Sequence, residues 1–235
     1  MRLGNRRRNE EERKLLMKDE ESQIELSIPV NVCRECPPLS AESYDEDTPL
    51  FRRQDIAQLT FRSILPCDRQ VIETLHEEWF PVSYQSEFYD ELVQGRMVHS
   101  GEPLYTNLAT TSGNTIVGCV IGSMVKALIL SKVTQELLVD DVARYPRLFY
   151  IMTLGTLPHY RRSGLATHMI QDCLAQAQND VGCGTVYLHV LINNVAAIAM
   201  YEKLGFYRVQ EIANYYWIND ELHNCYLYAK YFHGE

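Results

Sequence analysis

Residues 148–170, LFYIMTLGTLPHYRRSGLATHMI, join a strand-like run to a helix-like run through two arginines and a glycine, and this junction constrains the chain more than any other stretch. Leu148 to Leu157 has the length and composition of a buried strand, while Leu165, Met169, Ile170, Cys173, Leu174 and Ala177 recur at helical spacing. The chain therefore turns from strand into helix near Arg161 to Gly164. A helix start presents unpaired backbone N–H groups and the positive end of the helix dipole, which together suit a phosphate or pyrophosphate. Gly164 lets a ligand come close to the backbone, and the small Ala166 nearly does the same.

With 235 residues and 46% hydrophobic composition, the chain can bury one substantial core. Its formal net charge of −9 and the lack of an extended basic face argue against general affinity for nucleic acid, DNA included. Seven cysteines without secretory spacing indicate a reducing, cytoplasmic setting, with the nucleus as a further location. The longest apolar stretch, Thr115 to Leu130, carries Ser123 and Lys126 and falls short of a membrane span, so a soluble protein is expected. Met1 to Lys18 holds seven Lys/Arg against three Glu, and Asp19 to Asp47 holds nine acids against Arg34 alone. Residues 1–57 therefore read as a charged, disordered N-terminal tail and 58–235 as the folded domain. The basic tip is a solvated leader on the plain reading and a weak ribosome contact on the functional one. Cys33 and Cys36 form one CxxC pair without a second pair, and His76, His99, His159, His168, His223 and His233 lack ligand spacing, so no metal is expected.

From Leu59 the elements become regular. LTFRSIL reads as a strand, and Asp68 caps a helix with Val71, Ile72, Leu75 and Trp79 inward and Pro81 after its end. Ser86 to Val93 forms a second helix. LYTNLAT and TIVGCVIGSMV flank a Ser112-Gly113-Asn114 turn as a hairpin. A connection of roughly twenty residues, long for two strands, follows with a helix near Gln135 to Arg144. After the junction helix come the strand GTVYLHVL, a helix from Asn194 to Leu204 closed by Gly205, and strands around FYRVQEI and CYLYAKYF.

This order, with an Arg-x-x-Gly-x-Ala turn after its fourth strand, resembles the GNAT acetyltransferases over about residues 58–233. The segments YIMTLG, YRR, YLHV, AIAMYEKLGF, NYY and FPVSY resemble the Nα-acetyltransferases of NatE type, with NatF as the nearest relative; the long connection from Met124 to Arg147 is more like NatF. The resemblance implies an α+β (α/β) GNAT fold: a mixed, mostly antiparallel seven-stranded sheet, splayed between strands 4 and 5, with about four helices. It implies transfer of acetyl from acetyl-CoA to the α-amine of chains beginning with Met and an apolar residue. Nascent or mature protein N-termini are then the acceptors and NatA complex subunits the partners. Two other readings stay open: a NatF-like enzyme at a membrane, and an adaptor subunit of NatA that keeps the fold without turnover.

By the same resemblance, Leu154 and Thr156 on the fourth strand and Arg161, Arg162, Ser163, Gly164, Leu165 and Ala166 in the turn hold acetyl-CoA. Asn194 contacts its pantetheine arm, and Tyr201 lies near the sulfur. Tyr150 and His189 carry the base function. An imidazole titrating near 6.5 accepts a proton at neutral pH unaided, whereas a phenol near 10 needs a shifted pKa or a bridging water. Phe80, Pro81, Val82 and Tyr84 receive the first acceptor residue, and Tyr215 and Tyr216 hold its backbone and narrow the groove. Several have a plain alternative: the turn as an ordinary helix start with surface arginines, Tyr201 and the Tyr215–Tyr216 pair as packing aromatics, His189 as a satisfied strand histidine.

Overall fold

The computed structural model describes residues 53–97 and 101–232. The expected tail lies outside this range except for its last residues, as do Cys33, Cys36, His99 and His233. Runs that are apolar at nearly every position become central strands, because both of their faces are covered. Seven strands form one sheet: β1 (Thr60–Arg62), β2 (Leu104–Thr110), β3 (Ile116–Lys126), β4 (Arg147–Thr156), β5 (Cys183–Leu191), β6 (Tyr207–Ile218) and β7 (Glu221–Tyr231). Their order is β1-β2-β3-β4-β5-β7-β6. Only β4 and β5 run parallel, joined through the junction helix.

Five α-helices accompany the sheet among the described residues: α1 (Arg69–Trp79), α2 (Ser86–Leu92), α3 (Lys132–Leu138), α4 (Leu165–Gln178) and α5 (Val195–Lys203). The expected stripe of α4, Leu165, Met169, Ile170, Cys173, Leu174 and Ala177, is buried against the sheet. Burying each large member of such a stripe contributes roughly 1.5–3 kcal/mol. Two local expectations shift. The helix placed near Gln135 to Arg144 runs from Lys132 to Leu138, because the Ser131 hydroxyl accepts the Thr134 N–H at 3.2 Å and starts the helix earlier. Asp141 then accepts the N–H groups of Ala143 and Arg144, holding that segment as a turn. Asp68 precedes α1 without capping it; its buried carboxylate instead accepts the Leu65 N–H and two N–H groups of Arg62.

The register of the sheet opens the site. β4 and β5 pair from Arg147/Cys183 to Ile151/Leu188, after which β4 continues to Thr156 and β5 to Leu191 without pairing with each other. The split coincides with a bulge: Gly122 pairs with Ile151 and Ile121 with Thr153, leaving Met152 extra on β4.

Candidate active site

On one side of the split, β4 runs through a short 3-10 turn, Pro158–Tyr160, into α4. Arg162 and Gly164 both take left-handed backbone angles, φ 61° and 93°, so the turn curls tightly before the helix begins. Such angles cost a glycine little and an arginine more. The first intrahelical bond runs from the His168 N–H to the Gly164 carbonyl. The amides of the first turn therefore have no helical acceptor. Ser163 takes one of them: its buried hydroxyl accepts the Leu165 N–H at 3.3 Å and donates to the Tyr160 carbonyl at 2.7 Å. It ties the loop from inside, leaving the amides of Ala166 and Thr167 at the positive helix end. Arg161 and Arg162 are exposed beside them, with the Arg161 Nε donating to the Thr156 carbonyl. Leu154 and Thr156 lie on β4 beyond the split, and between them Gly155 meets α1 so closely that a Cβ would fall 2.0 Å from the Trp79 ring. This end fits a phosphate-bearing ligand whose arm extends between the strands.

Tyr150 of β4, His189 of β5 and Tyr215 of β6 converge at the split. The Tyr150 and Tyr215 hydroxyls each lie 3.3 Å from His189 Nδ1. The Tyr150 ring stands at 81° to the imidazole, and the Tyr215 ring stacks on it at 17° with centroids 4.5 Å apart. Burial lowers the His189 pKa to about 4, so the ring is neutral at pH 7 and a weaker base than a solvent-exposed histidine. Burial also pushes the Tyr215 phenol up, and a hydrogen bond with Tyr150 adds to the shift.

Tyr201 on α5 is 7% exposed and packs edge-on against Phe206 at 5.7 Å. Burial raises its pKa, so it keeps its proton and offers a hydrogen bond. Asn194 caps α5, its side-chain oxygen accepting the Ala197 N–H at 3.3 Å, which leaves its amide N–H groups as the outward donors. On the opposite wall, Phe80 ends α1 and Pro81, Val82 and Tyr84 follow in the loop to α2. Tyr84 stacks on Phe88 at 4.6 Å, and burial lifts its phenol to about 12. Tyr216 meets Tyr215 edge-on at 4.8 Å. Burial raises the Tyr216 phenol, with added contributions from Tyr150, Cys225, Tyr84 and Tyr201.

Three further residues shape the site that the sequence had not assigned to it. Tyr187 stacks on Tyr150, centroids 4.7 Å apart at 15°, and the spacing Tyr187-x-His189 on one strand already signals a shared face. Trp79 lies against Gly155. His76 is fully buried among Phe80, Tyr84, Phe88 and Tyr89, with neither ring nitrogen hydrogen-bonded. Helical spacing marks His76 as inward, but nothing in the sequence signals its lack of a partner. Among the described residues no group of three His, Cys, Asp or Glu side chains is placed to hold a metal ion.

Comparison with known proteins fits this arrangement. The sequence profile of the acetyltransferase (GNAT) family matches residues 69–206. Histone acetyltransferase MCC1 of Arabidopsis thaliana is 29% identical over 180 residues, covering 74% of this chain and 70% of that protein. Arabidopsis thaliana NAA60, solved in complex with acetyl-CoA, superposes with TM-score 0.67 at 29% identity, over 75% of this chain and 99% of that one. Arabidopsis thaliana Naa50 in complex with the bisubstrate analogue CoA-Ac-MVNAL gives TM-score 0.57 at 28% identity, over 74% and 99%. A strand-to-helix turn with open amides, a sheet split beside it and a profile match over more than half the length lead to one conclusion: the chain belongs to the acetyltransferase (GNAT) family.

Proposed function

We propose that this protein is an Nα-acetyltransferase that moves acetyl from acetyl-CoA to the α-amine of chains beginning with Met and an apolar residue. The observation that carries the reading is the meeting of Tyr150, His189 and Tyr215 at the β4–β5 split, one step from the α4 start and faced by the Phe80–Tyr84 loop. The residues of the turn fit a pyrophosphate: the Ala166 and Thr167 amides as donors, Arg161 and Arg162 as countercharge, Gly164 as the point of close approach. Acetyl-CoA supplies the acetyl group as a thioester.

In this reading the neutral acceptor nitrogen forms a bond to the thioester carbonyl carbon, and the carbon–sulfur bond breaks. As the C–N bond forms the nitrogen becomes far more acidic. Its proton passes to the Tyr150 oxygen while the Tyr150 proton passes to His189 Nδ1, so the phenol does not have to ionise. Tyr201 donates a hydrogen bond to the departing sulfur. A base titrating near 4 cannot readily take a proton from an ammonium group near 8, a step uphill by about 5 kcal/mol, so the amine must arrive neutral. That condition favours an α-amine over lysine by roughly 2.5 pKa units, or about 3.4 kcal/mol. Phe80, Pro81 and Val82 take the first side chain, and Tyr84 and Tyr216 flank the entering backbone.

Within this reading NatA subunits and the ribosome are partners in a cytoplasmic setting. The larger TM-score with NAA60 than with Naa50, together with the long β3–β4 connection carrying α3, supports a second reading, a NatF-type enzyme at a membrane surface. No helix among the described residues is long and apolar enough to cross a membrane. Co-sedimentation with phospholipid vesicles separates the two: pelleting of the full chain selects the second. The name of MCC1 raises lysine as the alternative acceptor. Steady-state assays on a Met-Leu peptide and on an N-terminally blocked, lysine-containing peptide decide this; the α-amine should react at least tenfold faster, and equal rates would overturn the α-amine assignment.

A further inference from the structure

Two phenol hydroxyls share one nitrogen in this site, and they do not approach it in the same way. An imidazole nitrogen has a single hydrogen-bonding direction, in the plane of its ring. Tyr150, at 81° to the imidazole, can direct its hydroxyl along that plane. Tyr215 lies nearly parallel to the ring at 4.5 Å, so its hydroxyl reaches Nδ1 from over the face. Its position takes some construction. β7 separates β6 from β5, and Leu227 of β7 pairs directly with His189. A bulge between Ile212 and Tyr216 breaks the β6–β7 register and carries Tyr215 across the intervening strand.

We propose that Tyr215 is a positioning residue for His189: its ring covers one imidazole face, keeps water off it and leaves Nδ1 to Tyr150. The inference rests on the reading of His189 as the base. The groups around the imidazole are Tyr150 of β4, Tyr187 of β5, Tyr215 of β6 and Leu227 of β7, with no charged side chain among these contacts. Exclusion of water is accordingly the cause behind the lowered His189 pKa. An acceptor contact alone needs only the Tyr215 hydroxyl; cover of the base needs the ring.

The test uses the full chain and two readouts: the NMR titration of the His189 ring, assigned by its loss in His189→Asn, and the acid limb of kcat/KM with a Met-Leu peptide. Tyr215→Phe keeps the ring and should leave the titration within about half a unit of wild type. Tyr215→Leu and Tyr215→Met remove the ring and should move it up by more than about one unit, with the acid limb following. Two different aliphatic replacements guard against a folding failure in either. Wild-type titration in the aliphatic variants, with only the peptide KM raised, overturns the proposal and leaves Tyr215 as an acceptor contact. The NMR arm does not depend on turnover, so an inactive wild type would count against the α-amine reading while the titration still decides the role of Tyr215.

Discussion

On the proposed function, the donor side of the site is made of main chain, and the acceptor side of rings. At the β4–α4 turn the groups proposed to hold acetyl-CoA are the amides of Ala166 and Thr167 with two exposed arginines, placed by the backbone angles of Arg162 and Gly164. Across the split stand Tyr84, Tyr150, Tyr187, His189, Tyr215 and Tyr216, drawn from a loop and three strands and held by stacking. Main-chain groups carry fixed dipoles whatever the side chains are. Their function is lost only when the backbone path is blocked. Rings set solvent access, so the acceptor side is tuned residue by residue through burial.

That difference orders the expected effects of change. Gly164→Glu places a side chain on a left-handed backbone and a negative charge against the pyrophosphate site, and should abolish thermal stabilisation by acetyl-CoA; stabilisation equal to wild type would break the donor assignment. His189→Ala should lower kcat by about 10²- to 10⁴-fold with acetyl-CoA affinity little changed, and part of the rate should return as pH rises and more α-amine is neutral. Near-equal rates across the pH range would make His189 a strand residue and nothing more.

Stability carries the same contrast. His76 and His189 each titrate near 4 in the folded chain because burial disfavours their charged forms, and near 6.5 when unfolded. Between about 6.5 and 4 the unfolded chain binds more protons, so stability should be flat above that window and fall as pH drops through it. The loss is on the order of 3 kcal/mol for each ring. Denaturation midpoints measured at pH 7.5 and 4.5 should differ; equal midpoints would mean that the rings are not held dry. Phe80→Ala should raise the peptide KM about tenfold, roughly 1.4 kcal/mol, and leave the acetyl-CoA KM alone. His76→Phe keeps an aromatic ring among Phe80, Tyr84, Phe88 and Tyr89 and removes two orphaned nitrogens, so it should stabilise the fold by about 1 kcal/mol, a rise in Tm of about 2–4 °C.

The same division decided what the sequence could reveal. The β4–α4 junction is local: an apolar run, Arg161 to Gly164 and a helical stripe are adjacent in the chain, and strand, turn and helix lie where their spacing puts them. The individual strands are legible for the same reason. The split of β4 from β5 rests on pairing between distant segments, so it came with the family resemblance rather than from periodicity. Tyr150 and His189 could be named, yet their environment could not. Burial takes the imidazole from an expected 6.5 to about 4, and one of the rings packed on it, Tyr215, comes from a strand that is not even a neighbour. Helix α3 was misplaced by a few residues because the Ser131 cap and the Asp141 turn compete with a propensity pattern that extends through Arg144.

The most direct measurement is a crystal structure of the full chain with a bisubstrate analogue in which CoA is joined through an acetyl group to the α-nitrogen of a Met-Leu peptide. The pyrophosphate should lie on the Ala166 and Thr167 amides, the bridging nitrogen within hydrogen-bond or one-water reach of Tyr150 and His189, and the methionine side chain against Phe80 and Val82. A nitrogen placed away from Tyr150 and His189, or a peptide running outside the wall formed by Phe80–Tyr84 and the β6–β7 hairpin, would contradict the account.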